Sequence, residues 1–578
     1  MKLSEYEQFI TTTAPKGAFI PDQVSIQDWQ DVEPYFNQLA NENPVSKTEL
    51  WEWIKKRSEL NAWLEEDMAW RYIRMTCDTS DAKAVAAYTL FIEKIEPEVS
   101  LWQNTLDQKT ASHPEFNVLD FKGADIFRKA IRKEIDLFRE ENIPLQTEIQ
   151  TRTQLYSATI GAMNIEWEGT EITLPQASVL LQSTDRERRR QVYEKIQIRR
   201  FDDGEKLQLL FSELVELRQK VAHNAGFANF RDYMFAALGR YDYTPQDCKD
   251  FHLAIQKAVV PLVNRQMEER KKQLGLPILQ PFDLAVQENN LPPLQAFTNG
   301  ADLLQRGKLV FGRLDPFLGQ CLTAMEAKGH FDLESRKGKA PGGYNYPLDQ
   351  TGFPFIFMNA TGTLRDMVTL MHEGGHAVHS IVTRFLPLSA QKHTSSEVAE
   401  LASMSMELIS MDHWDVFFTD PADLKRAKKE HLAQVIDTLP WVATVDAYQH
   451  WIYENEGHSE ADRTKAWLQI SGQYSSDVVD FTGYEAFRAI GWQKQLHIFE
   501  VPFYYIEYGM AQLGAIAVWR NYRKDPETAL QKYLQALALG NTASIREVYA
   551  AAGIRFDFSE SYIQELMAFV ATEMEHIS

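Results

Sequence analysis

A mainly α fold is predicted by three features of the sequence. Apolar residues recur three and four apart through most of the chain, helix-start chemistry stands ahead of the periodic segments, and strand texture is confined to two short stretches. With 578 residues there is ample length to bury a core, and two helical lobes are expected, 1–200 and 201–578.

Each element follows from local chemistry. Past the loop at Pro44, Ser46 and Glu49 form a capping box. The segment running to Met75 sets Leu50, Trp53, Ile54, Leu60, Trp63, Leu64 and Trp70 on one apolar face. The tryptophans at 51, 53, 63 and 70 are read as core rather than as a stacking surface. A second helical segment covers about Ser80 to Lys109, with Pro97 placed to kink or divide it, and a third covers Gly123 to Glu140. From Leu145 to Gln176 the texture changes, and IEWEGTEITLP, alternating around a glycine, predicts a short β hairpin. Helical texture resumes at Ser183, where the arginines of STDRERRR read as a solvated helix face among acids, not a phosphate site. Prolines and ENN make 273–293 a loop, and helices continue to Ala327.

Two stretches then prepare the centre of the chain. SRKGKAPGGYNY at 335–346 reads as a flexible, substrate-facing loop; it lacks the Gly-Lys-Ser/Thr of a phosphate-binding loop. TGFPFIFMNATG at 351–362 is a strand, with Pro354 tolerated at its start or on an edge. An edge strand there would hold an extended peptide through main-chain hydrogen bonds, and an ordinary buried strand is the alternative.

The bulk composition excludes some partners. Asp and Glu number 81 against 60 Lys and Arg, a net charge of −21, which argues against nucleic acid, whose affinity rests on clustered cations. No run of eighteen apolar residues suggests a membrane span, and the N-terminal stretch lacks the pattern of a signal peptide, so a cytoplasmic protein is expected. Cys77, Cys248 and Cys321 are odd in number and form no CxxC pair; they read as small buried side chains in a reducing compartment. Oligomeric state is not legible.

Chemistry concentrates in MHEGGHAVHS, 371–380. His372 and His376, four apart on a helix that starts near Thr363 and stops before Pro387, share one face and can grip one cation. Zinc suits two imidazoles and a carboxylate with one position left for water, and Glu373 is then free to act as general base. Gly374 and Gly375 each weaken that helix by about 1 kcal/mol, which implies that another backbone or a ligand approaches there. His379 reads as a hydrogen-bonded core or supporting histidine, with a ligand role as the alternative. The next helix opens with a second capping box, Thr394 and Glu397, and offers Glu397, Glu400 and Glu407. Glu397 is engaged at the helix start, whereas Glu400 stands among Val398, Ala399, Leu401 and Ala402, where a lone carboxylate is costly; Glu400 is therefore the third ligand. Val382, ten residues after His372, excludes a third-histidine arrangement, and Met404 stands where a thermolysin-type helix needs Asp.

HEGGHAVHS followed at this distance by EVAELASMSMEL resembles family M3 of the zinc peptidases, that of thimet oligopeptidase and oligoendopeptidase F, and within it oligoendopeptidase F most of all. The resemblance extends to FPFIFMN, to HIFEVPFYYIEYGMAQLGA at 497–515 and to LGNTASIREVYAAAGI at 539–554, and covers residues 200–578 best. It implies a two-lobed, zincin-type helical metallopeptidase with a small sheet beside the HEGGH helix. The N-terminal lobe would cover a deep central channel that admits short peptides and excludes folded proteins. It implies one Zn2+ per chain on His372, His376 and Glu400, with Glu373 as base. It also implies that His497, with Tyr505 and Tyr508 and with Tyr504 as a competitor for either role, contacts the scissile carbonyl and the substrate backbone. Two other functions compete with this internal cleavage of oligopeptides: a zinc carboxypeptidase of similar helical build, and a noncatalytic helical scaffold.

Overall fold

The computed structural model describes residues 3–12, 17–21, 25–287, 291–336, 338–340 and 342–577. Glu288 to Asn290 of the proline-rich loop, and Lys337 and Pro341 of the Gly-rich loop, lie outside the described residues. Helices make up most of the chain, which is arranged in two compact units built from discontinuous segments. Unit one comprises Met1–Glu140, Gln295–Ala427 and Ala511–Phe556; unit two comprises Glu141–Leu294, Lys428–Met510 and Asp557–Ser578. Residue 200 falls inside unit two, in the Arg186–Asp202 helix.

In unit one the Lys47–Cys77 helix starts where Ser46 caps it: its hydroxyl accepts the Glu49 N–H at 3.2 Å, and the Glu49 carboxylate reaches back to the Val45 N–H at 2.8 Å. Its apolar stripe, Leu50, Trp53, Ile54, Leu60, Trp63 and Leu64, is buried against Phe36, Leu39, Phe91, Ile95 and Leu106. Each such side chain contributes about 1.5–3 kcal/mol. Trp53 and Trp63 are core, and Trp51 packs at the margin of the same cluster. The next segment is divided as Pro97 requires: Ala82–Leu90, a π turn over Phe91–Ile95, then Glu96–Ser112 with the proline in the first turn, where its missing N–H is no loss.

The strand Phe355–Ala360 is not an edge. It lies at the centre of a three-stranded sheet, parallel to Phe331–Glu334 and antiparallel to Tyr344–Tyr346. Burial on both faces explains its near-continuous apolar run, since only Asn359 is even partly exposed. Pro354 stands just before it, so no ladder bond is lost. The outer position on one side belongs to Tyr344–Tyr346, at the end of the Gly-rich loop, where the Tyr344 ring stacks on Phe357 at 4.7 Å.

In unit two the predicted hairpin forms: Asn164–Trp167 pairs antiparallel with Thr170–Thr173. Its two-residue turn puts Glu168 at φ 50° and Gly169 at φ 79°, the paired left-handed conformations that a tight, correctly twisted hairpin needs. Ahead of it the change of texture at Leu145 misleads. Residues Asn142–Gly161 are a helix, which packs on Gly204–Asn224; tertiary contact, not amphipathic periodicity, makes it helical. The arginine cluster is engaged rather than merely solvated. Arg188 pairs with Glu168 and Arg190 with Glu187 and Glu194, while Arg186 and the buried Arg189 hold the fully buried Asp283 at 2.8 and 2.9 Å.

Burial alone would raise the Asp283 carboxyl, but hydrogen bonds from Arg186 and Arg189 outweigh it and hold it below the ordinary value. Its stabilising contribution is therefore complete above about pH 4, the range of an unfolded Asp, and is lost as pH falls through the lower folded value. Asp283→Ala, which strands two guanidinium groups, should cost about 3–5 kcal/mol, and Glu168→Ala at the exposed pair less than about 1 kcal/mol. Urea denaturation as a function of pH reads both effects, and the Asp283 variant should lose part of the native chain's acid sensitivity.

Candidate metal centre and active site

The Leu364–Thr383 helix carries the central motif, and its start is set by a complete capping box between Thr363 and Asp366. His372 and His376 sit one turn apart with ring centroids at 4.9 Å. The facing helix, Ser396–Ile409, takes Ser395 as its N-cap without a side-chain bond. The expected Thr394–Glu397 box is not formed: with the helix starting at Ser396, Glu397 is the second helical residue, and a box needs an acid at the third. Glu397 is instead buried, at 1 % exposure.

The two glycines are where these helices meet their neighbours. A Cβ on Gly375 would stand 2.7 Å from both the Ala402 carbonyl oxygen and the Ser403 Cα, and one on Gly374 would stand 2.4 Å from the Phe311 ring. The approaching group is thus a backbone at one position and a ring at the other.

That close approach brings the donors together. The ligating atoms of His372, His376 and Glu400 all lie within 4.8 Å of one another. Glu400 Oε2 is 3.3 Å from His372 Nε2 and 3.7 Å from His376 Nε2. A tetrahedral zinc bound at about 2.0–2.1 Å spaces its ligand atoms about 3.4 Å apart, so this donor set fits the ion in both chemistry and separation. Ser403 Oγ donates to the same Glu400 oxygen at 2.9 Å and holds its rotamer. On its other side His372 Nδ1 meets Glu407 Oε1 at 2.6 Å, which turns Nε2 toward Glu400.

Electrostatics agree with this arrangement. For His372, burial opposes the charged form, yet hydrogen bonds to Glu400 and Glu407 outweigh it and hold its proton affinity well above the ordinary value. Carboxylates that hold a proton there will also hold a cation. Burial keeps His376 neutral, lowered to about 4. Glu373, 7 % exposed, is pushed up to about 7, first by burial and also by Glu400 and Glu407. Its backbone carbonyl accepts from Asn345 at 3.2 Å, which ties the outer strand to the helix beside it. His379 is a core residue: burial lowers it to about 3, and the backbone of Leu537 is its partner.

His497, Tyr504, Tyr505 and Tyr508 form a cluster of their own in unit two. The ring centroids of the tyrosines lie 6.0, 4.9 and 5.7 Å from His497, in that order. A relay of donors sets the imidazole. The indole N–H of Trp441 donates to Gln495 Oε1 at 3.0 Å, so Gln495 must present its amide N–H to His497 Nδ1, at 2.7 Å. Nδ1 is therefore the acceptor, and the ring proton sits on Nε2. Just before the tyrosines, Phe503 is held at φ 66°. Its N–H donates to Gln449 and its carbonyl accepts from Arg240, whose guanidinium also pairs with the buried Glu507 at 2.8 Å. Such strain persists only where surrounding contacts enforce it.

Glu407, Gln495 and Trp441 were not singled out as functional from sequence. Glu407 had a usable signal, since it follows Glu400 by seven residues, two turns, on the same helix face. No spacing marks Trp441 as the anchor of Gln495.

Comparison with known proteins adds an independent line. The model of peptidase family M3 matches residues 179–299 and 320–568, and that of the peptidase M3 N-terminal domain matches 19–138. Chromosomal oligoendopeptidase F of Lactococcus lactis subsp. cremoris is 24 % identical over 399 residues, which span 69 % of this chain and 64 % of that protein. An oligoendopeptidase F homolog of Lactococcus lactis subsp. lactis strain IL1403 is 24 % identical over 393 residues, 68 % of this chain and 64 % of its own. The match thus spans less than two thirds of these relatives' length. Among solved structures, PZ peptidase A with an inhibitor superposes with a TM-score of 0.90 at 26 % identity, covering 96 % of this chain and 99 % of that one.

Because Glu407 orients His372, Glu407→Ala should weaken zinc binding by about 10–100-fold while leaving the helices intact. Competition against a chromophoric chelator reads the affinity, and an unchanged value would reduce Glu407 to a packing residue.

Proposed function

This chain belongs to peptidase family M3, and on that premise we propose that it is a zinc-dependent endopeptidase that cleaves internal bonds of short oligopeptides. The observation that carries the reading is the convergence of His372, His376 and Glu400 at zinc-ligand spacing with Glu407 behind the first imidazole. A zinc ion on these three residues would polarise the scissile carbonyl and acidify a water. Glu373, next to His372 on the same helix, accepts the proton of the attacking water and passes it to the leaving amine nitrogen. His497, with its proton on Nε2, donates to the developing oxyanion, and Tyr505 and Tyr508 supply phenol donors to the carbonyl and the substrate backbone, with Tyr504 beside them. An extended peptide would pair with Tyr344–Tyr346, the outer strand next to Glu373, so that main-chain bonds grip the substrate without reading its side chains. Among the described residues no helix is long and apolar enough to cross a membrane. The three cysteines form no disulfide, which supports work in the cytoplasm.

Glu373→Gln should lower hydrolysis by about 10²–10⁴-fold and retain zinc; loss of the metal along with activity would make Glu373 structural. The substrate for this assay is a quenched peptide of about ten residues blocked at both ends, offered beside casein. Internal cleavage of the blocked peptide excludes a carboxypeptidase, and rapid cleavage of casein would refute the size limit.

Gln495→Glu reverses the hydrogen bond at His497 Nδ1, because a carboxylate accepts where the amide donates, and so draws the ring proton from Nε2 to Nδ1. The expected result is a fall in kcat of about 10²-fold with little change in KM or zinc content, the mark of a donor needed in the transition state.

A further inference from the structure

Unit two contains a second constellation of ligating side chains that the proposed reaction does not use. The Pro245–Ala258 helix carries Cys248 and His252 one turn apart, and the Pro421–Glu454 helix carries Asp446 and His450 one turn apart. The ligating atoms of Cys248, Asp446 and His450 lie within 4.8 Å of one another. Asp446 Oδ2 is 2.7 Å from His252 Nε2 and 3.3 Å from His450 Nε2. The cluster is buried: Cys248 and Asp446 are fully buried, His450 is 2 % and His252 6 % exposed, and the rings of Phe235 and Phe503 stand edge-on to His450.

Hydrogen bonding within the cluster is incomplete. Nδ1 of His450 and Oδ1 of Asp446 are buried with no hydrogen-bond partner, a costly state for groups so far from water, while His450 Nε2 faces Asp446 Oδ2 at 3.3 Å. A cation at their focus satisfies them together. We propose that Cys248, Asp446 and His450 bind a second ion of the zinc class, with His252 holding the carboxylate in place, and that this ion is structural. Sulfur, imidazole nitrogen and a single carboxylate select a borderline transition metal over calcium or magnesium, which require several oxygens. His252, donating to Asp446, plays the supporting part that Glu407 plays at the other centre. Full burial among aromatic rings leaves no place for substrate, so the ion pins the two helices together. None of this depends on the proposed peptidase reading, since the two clusters share no residue.

Metal analysis of the full chain by mass spectrometry tests the proposal. The native protein should hold two zinc ions, His372→Ala/His376→Ala should keep one, and Cys248→Ser/His450→Ala should lose one. Cobalt loaded into His372→Ala/His376→Ala should show thiolate-to-cobalt charge-transfer absorption in the near ultraviolet. That variant leaves unit two untouched, so the test stands even if the Cys248 variant does not fold. A native chain with one zinc, retained by His372→Ala/His376→Ala, would keep this centre and remove the metal from the peptidase site. A His372→Ala/His376→Ala protein that takes up neither zinc nor cobalt, or cobalt without the thiolate band, would overturn the inference.

Discussion

The bare Cα of Gly375 is the constraint on which the site depends. Because nothing projects there, the Ser396–Ile409 helix lies against the HEGGH helix at the level of Ala402 and Ser403. Glu400 and Glu407 sit on the two flanking turns of that helix, and the approach places one carboxylate on each side of the His372 ring. Any side chain at 375 would push that backbone away, and an error of even 1 Å is large against a ligand spacing of about 3.4 Å. The helix-weakening glycine, costing about 1 kcal/mol in propensity, is offset by packing that only glycine permits.

Close packing creates an electrostatic problem that a dication resolves. Three carboxyl groups, Glu373, Glu400 and Glu407, are gathered beside two imidazoles, one of which burial keeps neutral. Burial first, and the neighbouring Glu400 and Glu407 carboxylates with it, push the Glu373 carboxyl up to about 7. A zinc ion would offset two of the negative charges and take the place of the proton that His372 otherwise holds so firmly. Charge balance thus supports the same occupant that the donor spacing selects.

Most of the local chemistry was legible in the sequence, the unformed Thr394–Glu397 box being an exception, and packing was not. Caps at Ser46 and Thr363, the Glu168–Gly169 turn and the division at Pro97 follow from residues within a few positions of each other, and the structure has them all. The grouping of His372, His376 and Glu400, which the structure brings together, was likewise within reach, because helical spacing and the cost of a lone buried carboxylate are local arguments. Whether Phe355–Ala360 is an edge or a buried strand was left open, since its partners at 331–334 and 344–346 are short and weakly patterned. The helix at Asn142–Gly161 was hidden, since it depends on a neighbour some sixty residues on. Trp441 and Gln495 illustrate the remaining class: a tautomer is set by a hydrogen bond between side chains whose proximity no periodicity announces.

Cys248 sharpens that last point. Read alone it is a small buried side chain, and among its sequence neighbours nothing contradicts that reading. Its neighbours Asp446 and His450 follow in sequence only after the segment 295–427, which belongs to the other unit. Each helix carries only a pair one turn apart, the same device that presents His372 and His376, but split across two helices. A motif is recognised in sequence when its parts are contiguous. Here the two pairs acquire chemical meaning only when folding sets Asp446 between two imidazoles and leaves His450 Nδ1 and Asp446 Oδ1 buried without a hydrogen bond. The unpaired Nδ1 of His450 and Oδ1 of Asp446, more than the proximity of the four residues, are what favour the proposed ligand site over a buried ion-pair network, because a network built only for stability would pair them.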